Sequence, residues 1–320
     1  MNLESARFIE ALASFPPRAR TLLEVLPLRG GRLSSARAGQ LCDLLGTGLS
    51  GLAKLLVPVA ATFARPLVSR FRVGAVLQAA KGQEPALALG ANMEFPGADV
   101  RHTLHAEQVA VSNAWLAGAS RFAAIAVSAE PCGHCRQFLH EVQRPGQPLV
   151  IMTPGAGDGK TFHQRPLAEL LPHAFGPADL GITEGLDNTA AAVELPAGTD
   201  APSSDPALHE ALAAAVTAYA PYGGNRAGCT IVTAAGKHYA GCGMENAAYN
   251  PGLTAFQTAL AGLYMTAPDA ASASIERVVL VEDATTFTQR QSTLELLHAL
   301  APEAAFKYCP IVTKGCDRYS

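Results

Sequence analysis

The residues able to do chemistry lie in two short runs, His105-Ala106-Glu107 and Pro131-Cys132-Gly133-His134-Cys135. One imidazole and two thiols are the donors that hold zinc, and three protein ligands leave the fourth tetrahedral position to water. A structural site normally closes that position with a fourth protein ligand, so this set points to catalysis. A metal held this way lowers the pKa of its water toward about 7, and Glu107, two residues from His105, is placed to take the proton. A lone histidine is usually a core or surface residue and a lone glutamate a solvated helix acid; the ordered combination singles these out. His134 sits between the cysteines but points in a different direction on the helix, which assigns it a structural or solvent-facing role.

These side chains need regular elements to hold them. His105 to Gly118 reads as a helix, Phe122 to Ser128 as a short buried strand, Cys132 to Val142 as a second helix and Leu149 to Met152 as a closing strand. A histidine at one helix start and two cysteines across the first turn of another lie near positive helix ends, which favour thiolates. Upstream, Val73, Ala75 and Leu77 alternate, a Lys81-Gly82-Gln83 turn follows, and Leu87 and Leu89 resume the alternation. That pattern predicts a hairpin entering the site. Residues 1–64 show helical spacing, as in Phe8, Leu12 and Phe15, broken by Pro16-Pro17 and Gly30-Gly31, and read as a helical lead-in. Trp115 follows the helix face and reads as core.

Residues 185–206 are rich in small, polar and proline residues and make the best linker. Beyond them, Gly241-Cys242-Gly243-Met244-Glu245-Asn246 echoes Gly90-Ala91-Asn92-Met93-Glu94-Phe95, each after a strand-turn-strand pattern, so the chain reads as internally duplicated. With Gln257 set opposite Gln108, Thr254, Ala255 and Phe256 stand where His105, Ala106 and Glu107 stand in the first copy. The second copy keeps the scaffold and loses the zinc chemistry.

Composition narrows the field further. The 320 residues, 49% hydrophobic and 16% charged, suffice for a large core and two domains. A net charge of -3, with 24 scattered Lys and Arg, provides no basic field for a nucleic acid. The most apolar stretch, 51–64, contains Lys54 and Pro58 and is too short to span a bilayer, so no membrane anchor is expected. Seven irregularly spaced cysteines, and an amino terminus carrying Glu4, Arg7 and Glu10 in place of a signal peptide, point to a reduced cytosolic compartment. Cys42, Cys229, Cys242, Cys309 and Cys316 then read as buried thiols.

The order H-x-E followed by P-C-x-x-C is the established signature of zinc deaminases of nucleobases. Together with Gly90 to Phe95, Thr103 to Gln108 and Pro131 to Phe138, it makes the chain from about Leu67 onward resemble the two-domain, homodimeric cytidine deaminases. The resemblance implies an α/β fold: a duplicated three-layer α/β/α deaminase architecture with a mixed sheet in each copy. The expected division is a helical segment over 1–64, a catalytic domain over 65–184, the linker over 185–206 and a non-catalytic domain over 207–320.

The same resemblance implies hydrolytic deamination of cytidine and deoxycytidine to uridine and deoxyuridine plus ammonia, in pyrimidine salvage. Zn2+ is the implied cofactor, held by His105, Cys132 and Cys135; zinc-bound hydroxide attacks C4 and Glu107 shuttles protons. Asn92 and Glu94 match residues that hydrogen-bond the ribose hydroxyl. Phe71 matches an aromatic on the pyrimidine face, Phe175 another wall of the pocket, and Ala248 a backbone contact from the partner subunit. The implied partners are a small nucleoside and a second copy of the chain, with no nucleic acid and no membrane.

Overall fold

The computed structural model describes residues 3–155, 161–182, 192–195, 204–267, 275–283 and 285–314. They fall into two compact units, the first within Met1–Glu94, Thr103–Leu186 and Leu263–Asp269, the second within Phe95–His102, Asp187–Gly262 and Ala270–Ser320.

The first unit begins with helices α1 (Leu3–Leu12) and α2 (Pro17–Leu23), the short strand β1 (Arg32–Leu33), then α3 (Ser35–Leu45) and α4 (Leu49–Ala61). A hairpin of β2 (Gly74–Ala79) and β3 (Leu87–Ala91) leads to α5 (Ala106–Leu116), β4 (Phe122–Val127), α6 (Gly133–Val142), β5 (Val150–Pro154), β6 (Phe162–Pro166) and the single turn α7 (Leu167–Leu170). The six strands lie in the order β1-β3-β2-β4-β5-β6, with β4 and β5 parallel and the other neighbours antiparallel. The hairpin, both helices and both strands expected around the cluster are therefore present. The lead-in is helical as read, with one addition: β1 joins the edge of the sheet through Arg32 opposite Ala88.

The second unit holds β7 (Ala192–Glu194), α8 (Pro206–Val216), β8 (Ala227–Thr233), β9 (His238–Cys242), α9 (Ala255–Thr266, whose last residues from Leu263 count with the first unit), β10 (Ile275–Asp283), α10 (Arg290–Leu300) and β11 (Ala305–Lys314). Its sheet runs β7-β11-β10-β8-β9, with β10 and β11 parallel. The order helix, hairpin, helix, strand, helix, parallel strand is that of α4 through β5. Of the stretch read as linker, Ala192–Glu194 pairs with Val312, Thr313 and Lys314 as an edge strand; residues 183–191 and 196–203 lie outside the described residues.

The pleat shows why each copy has three layers. Gly74 faces Ala91 across the hairpin and Gly90 faces Ala75, so the adjacent positions Gly90 and Ala91 turn Gly74 and Gly90 to opposite faces. A Cβ on Gly74 would meet Ala61 N at 2.4 Å in α4, and one on Gly90 would meet Ala110 N at 2.2 Å in α5. The two helices thus cover opposite faces of the sheet, each in backbone contact that only glycine permits. The second copy repeats the device: Gly228 lies against α8 and Gly241 against α9. With both faces covered, all of β3 and every residue of α5 up to Trp115 are buried. Trp115 is core, as the helix face predicted.

Candidate metal centre and cleft

His105 is the N-cap of α5 and Cys132 the N-cap of α6, both in extended backbone conformation, and Cys135 lies one turn into α6. Their donor atoms all fall within 4.8 Å of one another, the one such group among the described residues. His105 Nδ1 lies 3.6 Å from Cys132 Sγ. Zn–N of about 2.05 Å and Zn–S of about 2.3 Å at a tetrahedral angle require an N···S edge of about 3.6 Å, so the residues present fit the ion. The electrostatics agree. Hydrogen bonds with Cys135 and His105 outweigh burial and pull the Cys132 thiol down to about 3, while the Cys135 thiol, hydrogen-bonded to Cys132 and buried, is pushed up. A metal cation binds thiolates, so loading this site would release thiol protons.

Glu107 follows His105 by two residues and is buried. Burial lifts its carboxyl above the usual range, against hydrogen bonds from its own backbone and from Cys135 and the charge of His105. Gln108 accepts the His105 amide N–H through Oε1 at 3.1 Å and lies 3.2 Å from His134 Nε2. His134 is exposed, its ring 5.3 Å from that of His105, and it is outside the donor group, as its position on the helix indicated.

An open cleft of ≈ 290 Å³ adjoins these residues and is lined by Phe71, Asn92, Glu94, His105, Glu107 and Cys132, with Ser69, Thr103 and Glu130 among the rest. Its size is at the lower end for small-molecule sites, which run about 300–1,000 Å³. Asn92 Oδ1 accepts the Val73 N–H at 2.8 Å while its Nδ2 donates to Phe71 O at 2.9 Å. Glu94 accepts the N–H groups of Val68 and Ser69. The two polar residues therefore stitch the segment 68–73 to the end of β3, which holds Phe71, 61% exposed, at the cleft and out of the core.

The remaining candidates are placed differently. Phe175 is 49% exposed, does not line the cleft, and has its carbonyl held by Gln137 Nε2 at 2.8 Å. Ala248 belongs to the second unit, where its N–H donates to Asn246 Oδ1. Of the other cysteines, Cys229, Cys242 and Cys309 are buried and Cys42 is half-buried; Cys316 lies outside the described residues. Sequence reasoning passed over Ser69, Thr103, Glu130 and the bracing by Gln108. A serine two residues before an aromatic carries no periodic or metal-ligand signal.

The echo in the second copy is also structural. Met93 bridges to Arg65 and Leu104, and Met244 bridges to Tyr219 and Leu253 in the same way. Gln257 Oε1 accepts the Thr254 N–H at 2.9 Å, as Gln108 accepts that of His105. The N-cap of α10, where the first copy has Cys132, is Gln289, which accepts the Ala255 N–H.

Two family profiles, both described as "Cytidine and deoxycytidylate deaminase zinc-binding region", match residues 52–150 and 167–294. The chain is 39% identical over 298 residues to a cytidine deaminase of Shewanella sediminis, covering 92% of this chain and 95% of that protein. It is 40% identical over 288 residues to one of Sodalis glossinidius, covering 87% and 89%. A solved cytidine deaminase of Mycobacterium tuberculosis is 32% identical over 40% of this chain and 97% of its own, with a TM-score of 0.33.

Proposed function

The chain belongs to the cytidine deaminase family, and on that premise we propose that it hydrolyses the exocyclic amino group of cytidine and deoxycytidine, releasing uridine or deoxyuridine and ammonia. The observation that carries the reading is Glu107, a buried carboxyl beside the donor group, in one cleft with Asn92 and Glu94. His105, Cys132 and Cys135 would hold zinc, which when bound supplies a Lewis acid that makes water acidic near neutral pH. Glu107 takes a proton from the attacking water, delivers it to ring N3 as C4 is attacked, and carries the second proton to the departing amine. The burial that lifts its pKa suits both directions of transfer, because a carboxyl that ionises nearer neutrality both accepts and returns protons.

Asn92 and Glu94 take the ribose hydroxyl, and Phe71 packs on the pyrimidine face. Phe175 and the main chain of Ala248 complete the pocket, Ala248 acting on the site of the other subunit of a homodimer. The reading includes a cytosolic role in pyrimidine salvage. It also includes the division into a helical segment over 1–64, a catalytic domain over 65–184, a linker over 185–206 and a non-catalytic domain over 207–320. The cleft volume and the net charge of -3 support a free nucleoside over a polynucleotide.

The test compares turnover of cytidine, deoxycytidine, cytidine monophosphate and a single-stranded oligonucleotide, with metal content and sedimentation measured on the same sample. The expected result is zinc near one per chain, twice the chain mass, and turnover of the two free nucleosides. Zinc-loaded protein that deaminates neither nucleoside would sink the reading.

A further inference from the structure

We propose that Ser69 is a positioning residue for substrate, its hydroxyl fixing the plane of the Glu94 carboxylate so that one oxygen stands ready for a sugar hydroxyl. The inference rests on the reading of Glu94 as a sugar-binding residue.

Three hydrogen bonds define the arrangement. Glu94 Oε2 accepts the N–H groups of Val68 at 2.7 Å and Ser69 at 2.8 Å, and Oε1 accepts the Ser69 hydroxyl at 2.5 Å. The Phe71 N–H donates to Ser69 Oγ at 3.1 Å, which leaves the hydroxyl hydrogen to point at Glu94. Oε2 has both lone pairs engaged, whereas Oε1 has accepted one hydrogen and retains one acceptor direction. The last torsion of a glutamate is broad and roughly two-fold, so two donors on a single oxygen pin that oxygen and leave the plane free to swivel. The hydroxyl on the other oxygen removes that freedom. Ser69, Phe71 and Glu94 all line the cleft.

The second copy separates the two tasks of this bracket. Glu245 accepts the N–H groups of Tyr222 and Gly223, each at 2.8 Å, and its own N–H donates to Tyr219 O, as that of Glu94 does to Arg65 O. Residue for residue, Gly223 stands where Ser69 stands. A Cβ there would come within 2.7 Å of Glu245 Oε1 and 2.8 Å of the Phe287 ring. In the copy without zinc ligands the Glu245 carboxylate accepts backbone N–H groups, and the hydroxyl on the carboxylate accompanies the copy that has the ligands. The carboxyl affinities for a proton differ in the same sense: burial pushes Glu245 up, while at Glu94 the Ser69 hydroxyl and the Ser69 and Val68 N–H groups outweigh burial and hold the carboxyl below its usual range.

Steady-state kinetics on cytidine and calorimetric binding of uridine and uracil, for zinc-loaded wild type, Ser69→Ala and Ser69→Thr, test the inference. Ser69→Ala is expected to raise KM for cytidine and weaken uridine about tenfold or more, the scale of one hydrogen bond to a charged group. Uracil affinity and kcat should stay within about twofold, and Ser69→Thr should recover most of the loss. An active wild type indistinguishable from Ser69→Ala, or a variant that loses uracil as much as uridine, overturns the inference alone. A wild type inactive on both nucleosides overturns the functional reading and the inference with it.

Discussion

The Gln108 side chain ties the His105 amide to the His134 ring, 3.1 Å on one side and 3.2 Å on the other. His105 opens α5 and His134 lies in the first turn of α6, so one amide group braces the two helix starts that carry the metal donors. The capping half of this brace recurs in the second copy, where Gln257 Oε1 accepts the Thr254 N–H and where the described residues hold no group of metal donors. Its first duty is therefore to cap the helix, and in the first copy that cap also sets where the imidazole sits.

Gln108→Ala should loosen this cap and the ligand it orients. Removing a supporting partner of a metal ligand typically costs about 10–100-fold in affinity. Competition with a chromophoric chelator is expected to show zinc held at least tenfold more weakly; unchanged affinity would show that His105 is fixed by packing alone.

Glu107→Ala removes the proposed proton carrier and none of the three candidate donors. The expected outcome is zinc content equal to wild type with kcat on cytidine lowered by at least about 10²–10⁴-fold, the range of general acid-base catalysis. Metal analysis and turnover on one preparation decide it, and retention of a tenth of wild-type activity would remove Glu107 from the mechanism.

The same substitution should act with opposite sign at two glycines. At Gly90 a Cβ would meet Ala110 N at 2.2 Å and Ala106 O at 2.3 Å, both backbone of the helix carrying Glu107. Gly90→Ala is expected to cost about 3 kcal/mol or more, or to prevent soluble expression. At Gly39, inside α3, the added Cβ meets nothing within 4 Å, so Gly39→Ala should gain about 0.5–1 kcal/mol from helix propensity. Thermal unfolding of both variants measures the contrast.

Asp205 should make the stability of the second unit sensitive to acid. It caps α8 through the Ala207 N–H and accepts two hydrogen bonds from Arg277 and one from Lys307, with its side chain 10% exposed. The Arg277 hydrogen bond and charge, with Lys307, hold its carboxyl well below the usual range despite burial. A carboxyl with a depressed pKa contributes in full above its unfolded value of about 3.9 and loses the contribution as pH falls below that. Asp205→Asn should therefore cost about 1–3 kcal/mol at pH 7, with the gap to wild type narrowing below about pH 4. A gap independent of pH in melts from pH 7 to pH 3 would show that the charge contributes nothing.

The candidate metal donors were legible in the sequence because residue type and short spacing carry them. His105, Cys132 and Cys135 need only two helix starts to meet, and the hydrophobic periodicity around them announces both helices. The duplication was legible too, since Gly90 and Gly241 serve the same close approach and glycine alone can occupy it. Other features depend on partners far along the chain. That β1 and Ala192–Glu194 become edge strands is decided by exposed ladders on β3 and β11, which no local pattern at either segment reveals.

By itself, then, the chain determined the candidate ligands and acids available and the helices that present them, because those are local properties of type and period. Only the tertiary structure decided how the polar residues of the cleft are employed. Glu94 and Asn92 spend their hydrogen bonds on the loop 68–73, and Ser69 and Gln108 act through neighbours 25 residues along the sequence in one case and on another helix in the other. Hydrogen bonds of that kind form after the sheet has brought the segments together, so their donors and acceptors leave no mark on sequence spacing.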